Sequence, residues 1–221
     1  MTEPVQPGTA ALLVVDMQQA SVAACADPDA LVRAVVVLVN RARLAGVPVI
    51  WTRHNSPPEL RMGDDSWQII DELQPAPGDP IVEKSAASAF ADTDLHDTLR
   101  SLGVGALWVC GVASEAAILA TCCSGMERGY HVTLVQDGHA TADRSFDGRR
   151  LPASQLIAMV NLVIDSARPT QAAVANRRSE HQGGARPAAD LVFPDPDPDD
   201  DELIAVADAE DVAEDLADGD A

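Results

Sequence analysis

The chain has 221 residues, 47% of them hydrophobic and 23% charged, which suits one ordinary soluble domain with a buried core. Its formal net charge of −20 argues against nucleic-acid binding, because no basic stripe exists to neutralise phosphates. No apolar run approaches the ~20 residues of a membrane span, and the first residues lack a basic stretch followed by an apolar one, so a cytoplasmic protein away from membranes is expected.

In chain order, Ala10 to Val15 predicts a buried first strand and Asp29 to Leu44 an amphipathic helix. After the Gly46 stop, Val47 to Thr52 predicts a second strand. Ile81 to Glu83 makes a third. Leu95 to Leu102 continues a helix closed by Gly103, Ala106 to Val112 is a fourth strand, and Glu115 to Arg128 a helix closed by Gly129. His131 to Gln136, Ala153 to Asp165 and Thr170 to Val174 complete the pattern as strand, helix and sixth strand. Apolar runs alternating with helical patterns imply a Rossmann-like, three-layer α/β/α domain around a six-stranded, mostly parallel sheet.

The charge is distributed unevenly. From Asp190 to Ala221 there are fourteen acidic and no basic residues, which leaves −6 for everything before. The expected division is therefore a domain over residues 1–178 and an acidic tail over 179–221, disordered by composition. Within the tail, Leu203-Ile204-Ala205-Val206 is a candidate docking segment for a partner. The four cysteines, Cys25, Cys110, Cys122 and Cys123, show no metal-ligand spacing and read as reduced thiols.

Lys84 is the single lysine among fourteen arginines, and only lysine's pKa moves readily when buried. It falls at the end of the third strand, as Asp16 falls at the end of the first. The turn Gly111-Val112-Ala113-Ser114-Glu115-Ala116-Ala117 carries the fourth strand into the next helix. Ligands of such sheets bind beyond the carboxyl ends of the strands, so these three places converge on one crevice. A carboxylate beside an ammonium is an acid/base pair, and backbone amides at a helix start can hold an oxyanion.

Five segments resemble the isochorismatase-like cysteine hydrolases: Ala11-Leu12-Leu13-Val14-Val15-Asp16-Met17-Gln18; Val47 to His54; Glu83-Lys84-Ser85 to Phe90; Val109-Cys110-Gly111-Val112-Ala113-Ser114-Glu115; and Gly129 to Asp137. Within that family the chain looks most similar to the subgroup of streptothricin hydrolase and related amidases. The resemblance implies hydrolysis of an amide bond in a small-molecule substrate by an Asp, a Lys and a Cys, without a cofactor, in a homo-oligomer. The Asp and Lys fall on Asp16 and Lys84. The oxyanion turn falls on Val112, Ala113 and Ala117, and the nucleophile position is Ala117.

An alanine there leaves three readings open. The chain is an amidase whose cysteine has been replaced, or a vinyl-ether hydrolase that needs no thiol and uses Asp16 as general acid, or a relative that binds a small molecule or partner without turnover. Cys122 does not substitute on a regular helix, since five residues carry it about 140° around the axis and roughly 7.5 Å along it. Gln18, His54, Trp67 and Phe90 are candidate substrate contacts. A second ligating histidine near His54 is missing, so no metal is expected.

Overall fold

The computed structural model describes residues 9–167 and the backbone of 184–186. Six parallel strands form one sheet in the order β3-β2-β1-β4-β5-β8: β1 Thr9–Val15, β2 Val49–His54, β3 Ile81–Lys84, β4 Val104–Val112, β5 His131–Ala140 and β8 Gly184–Arg186. A separate antiparallel hairpin joins β6 Arg144–Phe146 to β7 Arg149–Leu151. The helices are α1 Gln19–Ala23, α2 Pro28–Leu44, α3 Leu95–Ser101, α4 Leu119–Glu127 and α5 Ala153–Ser166. Among the described residues no helix is long and apolar enough to cross a membrane.

The alternation within β1 builds both cores. Leu12 and Val14 face one side of the sheet, where Leu31, Val35 and Leu38 of α2 pack on them. Leu13 and Val15 face the other, against Leu95 and Leu99 of α3 and Val160 and Ile164 of α5. A strand covered on both faces is apolar at every position, which is why β1 reads as a continuous run. Helix α2 starts where Asp27 accepts a hydrogen bond from the Ala30 amide at 3.0 Å with Pro28 at the first helical position. It ends with Arg41 and Arg43 in the last turn and Gly46 at φ 63° beyond it.

Several boundaries differ from the sequence expectation. Strand β5 runs four residues past Gln136 to Ala140, and its register against β4 shifts between Val109 and Gly111. The helix expected from Glu115 opens with a π-helical turn, Ser114–Ile118, before α4. Helix α1 and the β6–β7 hairpin are additional. The hairpin is too short and polar to carry a periodic signal. The last strand of the described sheet is Gly184–Arg186, and the strand expected at Thr170 to Val174 lies outside the described residues. Because β8 pairs with β5, the domain edge expected at residue 178 falls short of the sheet's last strand. The candidate docking segment Leu203-Ile204-Ala205-Val206 also lies outside the described residues.

Candidate active site

The strand order reverses between β1 and β4, and the site lies at the carboxyl ends of the strands around that point. Asp16 leaves β1 with φ 52°, a left-handed conformation that aspartate tolerates better than most residues. Neighbouring β2 aligns Thr52 with Val15. The Thr52 hydroxyl donates to Asp16 Oδ1 at 2.6 Å and accepts from the Asp16 amide at 3.2 Å.

Lys84, the last residue of β3, closes the arrangement from the sheet edge. Its Nζ is 2.6 Å from Asp16 Oδ2, and the two side chains are only 1% and 6% exposed. The ammonium also donates to the carbonyls of Ala86 and Ala87, each at 3.2 Å. These three acceptors match its three N–H bonds, so the charge is fully satisfied away from water. His54 Nδ1 stands 3.4 Å from the same Nζ. Burial, then the Lys84 ammonium, lowers the His54 pKa from its ordinary 6.5, against the opposing pull of Asp16.

The third component is the exit of β4. Gly111 has φ 118°, and a Cβ there would fall 2.0 Å from the Val15 carbonyl oxygen. Only glycine lets β4 run this close to β1, and that approach brings the turn beside Asp16. A cavity of about 440 Å³ opens between these elements, lined by Asp16, Lys84, His54, Val112, Ala113 and Ala117 among others. Ala117 presents a methyl group to it from the π-helical turn. Among the described residues, no group of three His, Cys, Asp or Glu side chains gathers as a metal would require.

The other candidate contacts lie off the cavity wall. Gln18 is fully buried; its Nε2 donates to the carbonyls of His54 at 3.0 Å and Trp67 at 2.8 Å, and its Oε1 accepts from the His54 amide at 2.8 Å. It holds the end of β2 in place and so orients His54. Trp67 is buried beneath the Arg53 guanidinium, 3.9 Å from its ring centroid, and Phe90 stacks on Tyr130 at 5.7 Å. Gln18, Trp67 and Phe90, expected as substrate contacts, thus sit in the framework behind the described cavity wall. Apolar bulk near a strand end is equally suited to a pocket wall and to a core, and here the core wins.

Four contributors escaped the sequence reading. Thr52 gave no signal beyond its place at the end of a strand. Cys25, Thr141 and Arg144 also line the cavity, the last two from the stretch that follows β5. Burial pushes the Cys25 thiol up to about 11, the nearby Arg144 only partly countering this, which disfavours the thiolate that a nucleophile needs. Beneath the turn runs a separate buried chain: Ser114 Oγ contacts His139 Nδ1 at 2.8 Å, and His139 Nε2 contacts Asn161 Oδ1 at 3.1 Å. The register shift in β5 brings His139 there.

A profile of the isochorismatase domain matches residues 10–168. The chain belongs to the isochorismatase family. Over 138 residues it is 39% identical to a streptothricin hydrolase of Streptomyces noursei, covering 60% of this chain and 55% of that protein. The chain thus spans about half the length of the streptothricin hydrolases it matches. Nicotinamidase 3 of Arabidopsis thaliana is 33% identical over 148 residues, 60% of this chain and 73% of that one. The crystal structure of an isochorismatase from Pseudomonas putida KT2440 superposes with a TM-score of 0.70 at 28% identity, covering 87% of this chain and 94% of the other. The α/β/α architecture with its parallel sheet is that of the isochorismatase family.

Proposed function

We propose that this isochorismatase-family domain is built to hydrolyse the C–N bond of a small amide, with residue 117 as the nucleophile position. The observation that carries this reading is the buried Asp16–Lys84 pair on the wall of a cavity that Ala113 and Ala117 also line. Relatives whose names specify amide chemistry, such as nicotinamidase, support it. With cysteine at 117, the thiol proton passes to Asp16 and the thiolate attacks the amide carbonyl. The resulting oxyanion is received by the backbone amides of Ala113 and residue 117. As the C–N bond breaks, Asp16 returns the proton to the leaving amine. Water then adds to the thioester with Asp16 as base, releasing the acid and the thiol. The Lys84 ammonium stabilises the negative charge in turn, on the Asp16 carboxylate before the proton transfer and on the thiolate after it.

The chain with Ala117 has no atom that can make this attack. A second reading follows from that residue: the domain binds its ligand without turnover, or cleaves a vinyl ether with Asp16 as general acid. Assaying the chain and its Ala117→Cys variant side by side against simple amides and isochorismate separates these. Amide hydrolysis by the variant alone is the expected result. Isochorismate cleavage by the parent supports the vinyl-ether route, and inactivity of both forms assigns a binding role. The cavity and the buried free thiols fit a cytoplasmic protein acting on a small molecule.

A further inference from the structure

The charges on the cavity wall do not balance. Asp16 and Lys84 cancel each other, and His54 lies beside them with its pKa lowered by burial. Among the described residues one further charged side chain lines the cavity, Arg144 at the start of the β6–β7 hairpin. Its Nε donates to Glu115 Oε1 at 2.5 Å, and Glu115 itself is not on the wall. Burial works to raise the Glu115 carboxyl, yet the Thr141 hydroxyl and the Arg144 guanidinium outweigh it and hold it below the ordinary carboxylate range. Glu115 thus anchors the guanidinium through one edge. The Arg144 side chain has no other hydrogen-bond or ion-pair partner among the described residues. The remaining guanidinium N–H groups form a fork suited to a planar anion.

Arg144 and the Asp16–Lys84 pair are the charged groups of the wall among the described residues. The rest of the described wall is made mainly of small side chains, apolar ones such as Ala24, Ala87 and Val112 beside the hydroxyls of Ser21, Ser85 and Thr141, with no Phe, Tyr or Trp ring among the described residues.

We propose that the ligand is an anion: a small amide whose carboxylate is received by Arg144 while its carbonyl carbon faces residue 117, the two groups joined by a short apolar linker. This rests on the amide-hydrolase reading of the cavity and names its substrate class. Arg144 is then a specificity residue, remote from the reacting bond. Because its side chain is 48% exposed and already shares charge with Glu115, the gain is moderate.

Binding to the chain as it stands, with Ala117, tests this without turnover. The half-amides of malonic, succinic, glutaric and adipic acids are titrated by calorimetry beside their uncharged diamides. At least one half-amide is expected to bind about tenfold tighter than its diamide, with the preference shrinking as salt is added. Arg144→Gln should abolish the preference and Arg144→Lys retain part of it, with thermal melts confirming that each variant is folded. Equal affinity for half-amide and diamide, no binding of any half-amide at millimolar concentration, or a preference that survives Arg144→Gln overturns the proposal. Should the Ala117→Cys form hydrolyse neutral amides while the parent ignores charge, only the anionic inference falls. Should it hydrolyse nothing while the preference stands, only the amidase reading falls.

Discussion

Lys84 Nζ and Asp16 Oδ2 meet at 2.6 Å where neither side chain has more than marginal access to water. Their strands are not neighbours: β2 runs between β1 and β3 and supplies Thr52 and His54 to the gap. A pair so deeply desolvated is dangerous to break. Lys84→Met alone or Asp16→Asn alone should each lose about 3–5 kcal/mol in urea unfolding, because each strands a charge or leaves donors unmet. The double variant Asp16→Asn/Lys84→Met should lose clearly less than the sum. An additive double variant would show that the two groups do not act as a pair.

A thiol placed at position 117 would enter the field of that ammonium. Alkylation of Ala117→Cys should be fast at about pH 6, where ordinary thiols are protonated. The native cysteines provide the contrast, since burial raises Cys25 to about 11 and moves Cys110 and Cys122 further in the same direction. Mass mapping after brief exposure to iodoacetamide should find label at 117 before any other site. Labelling no faster than at Cys123 would contradict the assigned geometry.

Acid should weaken the fold through two histidines. Burial lowers the pKa of His139 and of His54 from the ordinary 6.5, opposed in His139 by Asn161 and Asp137 and in His54 by Asp16. The unfolded chain therefore binds protons at a pH where the folded one does not. Stability is full above about 6.5 and falls as pH drops from there toward the lowered values. Urea midpoints measured from pH 7.5 down to 5 should decline, and His139→Asn should flatten part of that decline. A midpoint that holds steady over this range would mean that neither imidazole is kept neutral by the fold.

The place of β8 makes a prediction about truncation. Thr133, Leu134 and Val135 of β5 pair with Gly184, Ala185 and Arg186. A chain ending at Ala189 loses fourteen acidic residues and no basic one, and should melt with the full-length protein. One ending at Arg178 should melt several degrees lower, through loss of those ladder hydrogen bonds. Equal melting of the two would show that the last strand contributes nothing.

Much of this molecule is legible in its sequence. The apolar run of β1 and the amphipathic spacing of α2 are local patterns that state their own burial, and Asp16, the single lysine and the β4 turn mark three parts of the candidate site at strand ends. The resemblance to isochorismatase-like hydrolases put the emphasis on residue 117. What local pattern cannot express is which of several suitable side chains reaches a shared space. Trp67 and Phe90 are large and apolar near strand ends, yet one is capped by Arg53 and the other by Tyr130.

Tertiary structure also decided the roles of residues without a distinctive neighbourhood. Thr52 holds Asp16 only because β2 lies in register beside β1, and Gly111 matters because the Val15 carbonyl is where its side chain would be. Arg144 reaches the cavity from a hairpin too short to announce itself by periodicity. Sequence determined which segments are buried and where strands end, since those follow from the period of apolar residues. The charge that faces the cavity depends on contacts between segments far apart in the chain, and those exist only once the sheet has formed.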